Sequence, residues 1–195
     1  MIDLAFALQG RTLPADHRSR IAAAVAALLP WLAAAPGAGL HRLKLAQGSG
    51  QVLLSPRTRL VLRVPEERAD DARALEGRTL DIGGHALQVG RAQARELLPW
   101  GTLFAPLVAS DDGDEQGFLQ RVDAELHALG IQARAISGRA QRLEDGALQG
   151  FSLMVDGLSA RAAATLLQHG LGAHRLQGCG LFVPHRSAAA VGTPP

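Results

Sequence analysis

Histidine and arginine recur side by side in this chain, a pairing suited to proton transfer next to an anion. His17 precedes Arg18 and Arg20, His41 precedes Arg42 and Lys44, and His174 precedes Arg175. Imidazole gains and loses a proton near neutral pH. The planar guanidinium fork matches phosphate geometry. Lys44 is the only lysine, so nearly all positive charge is arginine, although a biased coding sequence gives the same excess. A third feature is the stretch His169–Pro184, in which Gly170, Gly172, Gly178 and Gly180 form G-x-G-x5-G-x-G. Glycine lets backbone amides take positive φ and approach a ligand, and successive free amides can cradle phosphate oxygens. The same pattern also describes a glycine-rich turn closing a hairpin.

Each candidate has a functional and a plain reading. His17 falls in the first turn of an expected helix opened by Pro14. A helix N-terminus disfavours the imidazolium and attracts phosphate, which leaves a neutral base available. The plain reading makes His17 an extension of the apolar stripe of Ile21 and Val25. His41 lies on an expected basic strand. There, alternation puts Arg42 and Lys44 on one face and His41 on the other. Arg57 and Arg59 share a face with Val61 and Arg63, either an exposed basic track or an ordinary solvated edge. Arg139 and Arg142 fall in an expected polar loop, Ser137–Gln149. His85 reads as a turn residue, His127 as solvated, and Trp31 and Trp100 as packing. His169, His174, Cys179 and His185 fit no zinc spacing, and with one thiol present no metal is expected.

The chain has 195 residues, 47% hydrophobic and 4% aromatic, with no tyrosine, so its core must be Leu, Ala and Val. That length suits one ordinary domain or two small ones. Net charge is only +2, but it is unevenly placed. Gly39–Val64 carries Arg42, Lys44, Arg57, Arg59 and Arg63 without an acid, while acids gather at Glu66–Asp71 and Asp111–Glu115. A nearly neutral protein can thus hold a basic face. A single cysteine excludes an internal disulfide and fits a reducing compartment. Ile21–Ala35 is apolar behind two arginines, but it follows a strand and contains Pro30. It reads as an amphipathic helix rather than a leader or a span of the ~20 residues a membrane requires. A soluble, cytoplasmic protein is expected.

The elements that must hold these residues repeat. Ile2–Gln9 reads as a strand, Pro14 opens a helix with Ile21, Val25, Leu28 and Leu32 at helical spacing, and Pro36-Gly37 ends it. Leu40–Ala46, a turn at Gly48-Ser49-Gly50, Val52–Leu54, Thr58–Val64, a weak helix from Pro65 to Leu75, and Thr79–Val89 follow. The order is βαββαβ, the ferredoxin-like unit. Leu97–Ala109 then reads as a strand bent at Pro99. Asp112 with Glu115 reads as a capping box, and Phe118, Val122, Leu126 and Leu129 form a stripe that Gly130 ends. Ile131–Ile136 and Phe151–Val155 read as strands, Ser159 caps a helix to Gln168, and the glycine loop leads to Leu181–Val183. The expected class is α+β, two tandem ferredoxin-like (RRM-like) units with a C-terminal glycine-rich loop. The expected domains are 1–92 and 93–186, with 187–195 a flexible tail.

This pattern resembles the repeat-associated (RAMP) superfamily of CRISPR proteins, and more closely its RNA-processing endoribonucleases of the compact myxobacterial type. The stretches that carry the resemblance are DLAFALQGRTL at Asp3–Leu13, PADHR at Pro14–Arg18, LHRLKL at Leu40–Leu45, RTRLVLR at Arg57–Arg63, GFSLMVDG at Gly150–Gly157 and the loop from His169 to His185. Together they span the chain except its tail.

The resemblance implies an enzyme that binds the stem-loop of a CRISPR repeat RNA and cuts it without metal or cofactor. The scissile nucleotide's own 2′-OH attacks, leaving a 5′-OH and a 2′,3′-cyclic phosphate, and the guide stays bound and passes to an interference complex with its backbone and other subunits. It implies His17 as base, since the family's histidine sits in or beside this helix, with His41 as acid or phosphate contact. Arg18, Arg42, Lys44, Arg57, Arg59, Arg139, Arg142, His174 and Arg175 become RNA contacts, and a monomer or weak dimer is expected. A-form stems are read mostly through shape and phosphate, so few aromatics suffice. Two alternatives stay open: a non-catalytic RNA-binding subunit of a CRISPR effector complex, and a ferredoxin-like small-molecule or protein-interaction module.

Overall fold

The computed structural model describes residues 1–47, 52–111, 113–143 and 147–186. The turn expected at Gly48–Gly50, the expected cap Asp112 and the tail 187–195 lie outside them. The chain divides into two compact units: 1–96 with His174–Gly178, and 97–173 with 179 onward.

In the first unit the strands are β1 (Ile2–Gln9), β2 (Thr12–Leu13), β3 (Gly39–Leu40), β4 (Ala46–Gln47), β5 (Val52–Leu53), β6 (Arg59–Val64), β7 (Thr79–Ile82) and β8 (His85–Arg95). Its helices are α1 (His17–Leu28) and the short α2 (Ala69–Ala72), which is flanked by 3₁₀ turns at Glu66–Arg68 and Arg73–Leu75. The main sheet has the order β3-β6-β1-β8-β7, and β2-β5-β4 form a small separate sheet. Alternation along β1 and β6 sorts the faces. Leu4, Phe6 and Leu8 join Leu60, Leu62 and Val64 in a core closed by Ile21 and Val25 of α1, then Leu29 and Leu32. Leu28, expected in that stripe, is exposed. Asp3, Ala5 and Ala7 take the other face, opposite Arg63, Val61 and Arg59 in register.

Of the expected strand Leu40–Ala46, Leu40 belongs to β3, where Gly39 and Leu40 pair with Arg63 and Leu62, and Ala46 belongs to β4 of the small sheet, with residues 41–45 in neither. Leu40 and Leu43 are both buried. A spacing of three cannot put two side chains on one face of a strand, so the chain leaves the ladder after His41, whose N–H still reaches the Val61 carbonyl at 2.8 Å.

In the second unit β9 is Thr102–Ala109, α3 Glu115–Ala128, β10 Arg134–Leu143, β11 Leu148–Asp156, α4 Ala160–His169 and β12 Val183–Pro184. The sheet order β10-β11-β9-β12 places β10 at an edge. Phe118, Val122 and Leu126 of α3 and Ala163, Leu166 and Leu167 of α4 pack on Leu103, Ala105, Leu153 and Val155. Phe118 stacks on Phe151 with centroids 4.7 Å apart. Burying such a ring contributes about 1.5–3 kcal/mol. Asp114 and Ser159 cap the two helices, accepting from the Gly117 and Ala162 amides. The strand expected from Leu97 starts only at Thr102, and Trp100, expected to pack, is 43% exposed.

The expected loop Ser137–Gln149 is a correction of substance. Arg134–Leu143 is one strand paired with β11 through Arg142↔Gln149 and Leu143↔Leu148, with a bulge between Ser137 and Ala140. An edge strand tolerates polar residues, so it lacks the apolar alternation that identifies a half-buried strand. Arg139 sits in the bulge and Arg142 on the ladder, both exposed.

Candidate active site

His17 is the first residue of α1 and only 9% exposed. Its backbone N–H and its Nδ1 both point at the Pro14 carbonyl, at 3.2 and 3.0 Å. A carbonyl only accepts, so Nδ1 carries the hydrogen and the lone pair of the neutral ring lies on Nε2. Asp16 does not cap the helix; its carboxylate instead holds Arg20 at 2.7 Å. The dipole of a helix N-terminus favours an anion beside it.

His41 leaves the sheet edge with its ring 13% exposed and faces Asp3, Nε2 lying 3.3 Å from Oδ2. Asp3 is bridged in turn by Arg63, with Nε at 2.8 Å from one oxygen and the second nitrogen at 3.0 Å from the other. Burial alone would push the Asp3 carboxyl up. The hydrogen bonds and charges of His41 and Arg63 win and hold it well below the usual carboxylate range. Burial pushes His41 down, and the attraction of Asp3 only partly offsets it. Arg63 is 1% exposed, so the expected exposed track Arg57-Arg59-Arg63 does not exist as such. Arg63 lies directly opposite Asp3 in the β1–β6 register, and that partner is what allows its burial.

Both histidines line one recess in the first unit, with Arg18, Arg42, Leu43, Gln177 and Gly178 on its walls. It is small, with a cavity volume of about 20 Å³. The expected separation of His41 from Arg42 onto opposite strand faces fails because this segment is not a strand. Two histidines and two arginines thus line one small recess.

The glycine loop supplies a wall rather than a cradle. Gly178, at φ 85°, lies so close to the Arg42 backbone that a Cβ would stand 3.2 Å from the Arg42 nitrogen. The amides of all four glycines are spent inside the protein. Gly170 donates to Leu166 O, Gly172 to the Glu125 carboxylate, Gly178 to Arg175 O and Gly180 to Leu107 O. Those four amides are therefore already engaged within the protein.

The other expected contacts are not among the residues that line the recess. Lys44 and Arg57 are exposed, and Arg59 turns one nitrogen onto the carbonyls of Pro56 and Thr58. Arg139 and Arg142 belong to the second unit. His174 is exposed in a left-handed conformation before the 3₁₀ turn Arg175–Gln177, and Arg175 is half-buried. His85 accepts from or donates to Thr12 Oγ1 at 3.0 Å. Sequence reasoning missed Asp3 and Gln177 and read Arg63 only as part of a basic track or solvated edge. The one signal for Asp3 and Arg63 was a pair of opposite charges on neighbouring strands, visible only once register is known. Among the described residues no group of three or more His, Cys, Asp or Glu is placed to hold a metal, and no helix is long and apolar enough to cross a membrane.

A family model described as Cas6 Crispr matches residues 2–187. The chain is 33% identical over 193 residues to the CRISPR-associated endonuclease Cas6 of Myxococcus xanthus (strain DK1622), covering 97% of this chain and 84% of that protein. Among solved structures it is similar to a CRISPR associated protein Cas6, with a TM-score of 0.65 at 13% identity over 95% of this chain and 99% of that one. A RAMP protein binding different RNA substrates gives 0.64 at 16% identity, over 94% and 99%. The product of a Cas6-related gene from Pyrococcus furiosus gives 0.63 at 16% identity, over 93% and 97%. At such identities the structural likeness speaks to fold alone.

Proposed function

We propose that this chain, which belongs to the Cas6 family of CRISPR proteins, is an endoribonuclease that binds the stem-loop of a repeat RNA and cuts the precursor transcript into guide RNAs without a metal. The observation that carries this reading is the shared recess of His17, His41, Arg18 and Arg42. His17 Nε2 takes the proton of the 2′-OH at the scissile nucleotide. The O2′–P bond forms as the P–O5′ bond breaks, and His41 gives a proton to the departing 5′ oxygen. Arg18 and Arg42 stabilise the charge that develops on the phosphoryl oxygens. The products are a 5′-OH and a 2′,3′-cyclic phosphate. Lys44, Arg57 and Arg59 of the first unit and Arg139, Arg142, His174 and Arg175 extend the phosphate contacts that an A-form stem requires.

Both units have the sheet order second-third-first-fourth among their principal strands. This supports reading them as tandem ferredoxin-like domains. The product guide stays bound to a monomer or weak dimer in the cytoplasm and passes into an interference complex. The test is incubation of purified protein with its cognate repeat hairpin in excess EDTA. Cleavage to a 2′,3′-cyclic phosphate end is expected. Cleavage only with added divalent metal refutes the mechanism. Tight binding without cleavage assigns the chain instead to a non-catalytic RNA-binding subunit.

A further inference from the structure

An ion pair of the first unit is left unused by this mechanism, with the side chain of Arg63 1% exposed and that of Asp3 14%. Asp3 on β1 and Arg63 on β6 face each other in register, joined by two parallel N–H···O bonds of 2.8 and 3.0 Å. Such a fork–fork pair fixes the carboxylate in orientation as well as in charge. Among the described residues the carboxylate's other side-chain partner is His41, whose Nε2 lies at 3.3 Å. An ionised carboxylate only accepts hydrogen bonds. The ring nitrogen facing it must therefore carry a hydrogen in either protonation state of His41.

We propose that Asp3 and Arg63 are positioning residues for His41: Arg63 locks the Asp3 carboxylate, Asp3 holds the Nε2–H of His41, and Nδ1 is thereby the ring atom that delivers the proton to the departing 5′ oxygen. This rests on the reading of His41 as the acid. The step balances: Nδ1–H of the imidazolium passes to O5′ and leaves the neutral Nε2–H tautomer, while His17 Nε2 gains the proton of the 2′-OH. The arrangement complements that of His17, where Pro14 holds Nδ1–H and Nε2 is the working atom. One ring thus acts through each nitrogen, each fixed by a hydrogen bond on its far side.

The charged and titratable groups around His41 are Asp3 from β1, Arg63 from β6, His17 and Arg18 from α1, and its neighbour Arg42. Asp3 favours the imidazolium and Arg63 opposes it, the effect of Asp3 being the larger. Removing both together therefore lowers the affinity of His41 for a proton.

The test uses the full chain with ¹⁵N-labelled histidine, His41 being assigned by its loss in His41→Ala. Long-range ¹H–¹⁵N spectra are expected to show neutral His41 as the Nε2–H tautomer. The double variant Asp3→Val/Arg63→Met removes both charges together, so no buried charge is stranded. In it the two tautomers are expected to mix, kcat to fall at least tenfold with KM unchanged, and the alkaline limb of the pH profile to move to lower pH. A Nδ1–H tautomer for His41 in the unmodified protein overturns the proposal. So does a folded double variant that cleaves at the unmodified rate while His41→Ala does not. Full-rate cleavage by His41→Ala instead overturns the acid role itself, and the tautomer spectrum still judges the coupling separately.

Discussion

Replacing Arg63 by Met is expected to destabilise the first unit by about 3–5 kcal/mol at neutral pH, the usual cost of breaking a buried ion pair from one side. The side chain of Arg63 is 1% exposed and that of Asp3 14%, so the surviving carboxylate cannot recover its hydration. It loses two charge-assisted hydrogen bonds, each worth about 1.5–3 kcal/mol, and keeps only His41. Met retains most of the packing of the arginine stem, so the loss reports on charge rather than volume. Urea unfolding with a slope of ~2 kcal/mol/M would move the midpoint by about 2 M. A chain of two units need not unfold in one step. The probe is therefore Trp31, which lies under the Arg68 guanidinium in the first unit at 4.3 Å, in a Trp100→Phe background. Asp3→Val/Arg63→Met is expected to recover most of the loss, since neutral pairs of similar volume replace buried ion pairs at little cost.

The pH dependence has a defined sign. Asp3 titrates below its ordinary 3.8 when folded, so its contribution is complete above that value and drains away as pH falls further. His41, also lowered when folded, adds an earlier loss below about 6.5, where the unfolded chain takes up its proton. A single-variant loss under ~1 kcal/mol, as for an exposed pair, or one independent of pH down to strong acid, would refute the reasoning.

Three further outcomes are expected. Gly180→Ala should lower the melting temperature far more than Gly77→Ala: both have positive φ, but a Cβ at Gly180 overlaps the Leu171 carbonyl whereas the space at Gly77 is open, leaving only the ~1–2 kcal/mol of left-handed strain there. Arg139→Ala and Arg142→Ala should each weaken RNA binding and reduce the slope of log affinity against log salt by about 1, measured by fluorescence anisotropy. With His41 as acid, kcat/KM should fall on the alkaline side through an inflection below the ordinary histidine value of 6.5, because burial lowers its proton affinity.

What was legible in the sequence was local. The stripe Phe118-Val122-Leu126, the cap at Ser159 and the alternation of β1 each reflect a period that a single element imposes on its own residues, and all three appear in the structure. The failures are places where a neighbour decides. β10 is polar because it is an edge strand, so it reads as a loop. The segment after Leu40 alternates like a strand, but the core takes both Leu40 and Leu43 and the ladder stops. Arg63 has the spacing of a solvated track and is buried because β1 brings Asp3 against it. His17 and His41 could be singled out by type and by the charges beside them. That they share a recess follows from the packing of α1 against the sheet, which no spacing encodes.

The central claim is that His17 is a base acting in that recess. Single-turnover cleavage of the cognate repeat hairpin in EDTA, unmodified protein against His17→Ala, addresses it most directly. The account predicts a rate loss of about 10²–10⁴-fold, the usual worth of a positioned proton-transfer group, with RNA affinity within threefold of unmodified protein, a margin of ~0.7 kcal/mol. Cleavage by His17→Ala at a rate close to that of the unmodified protein would contradict it.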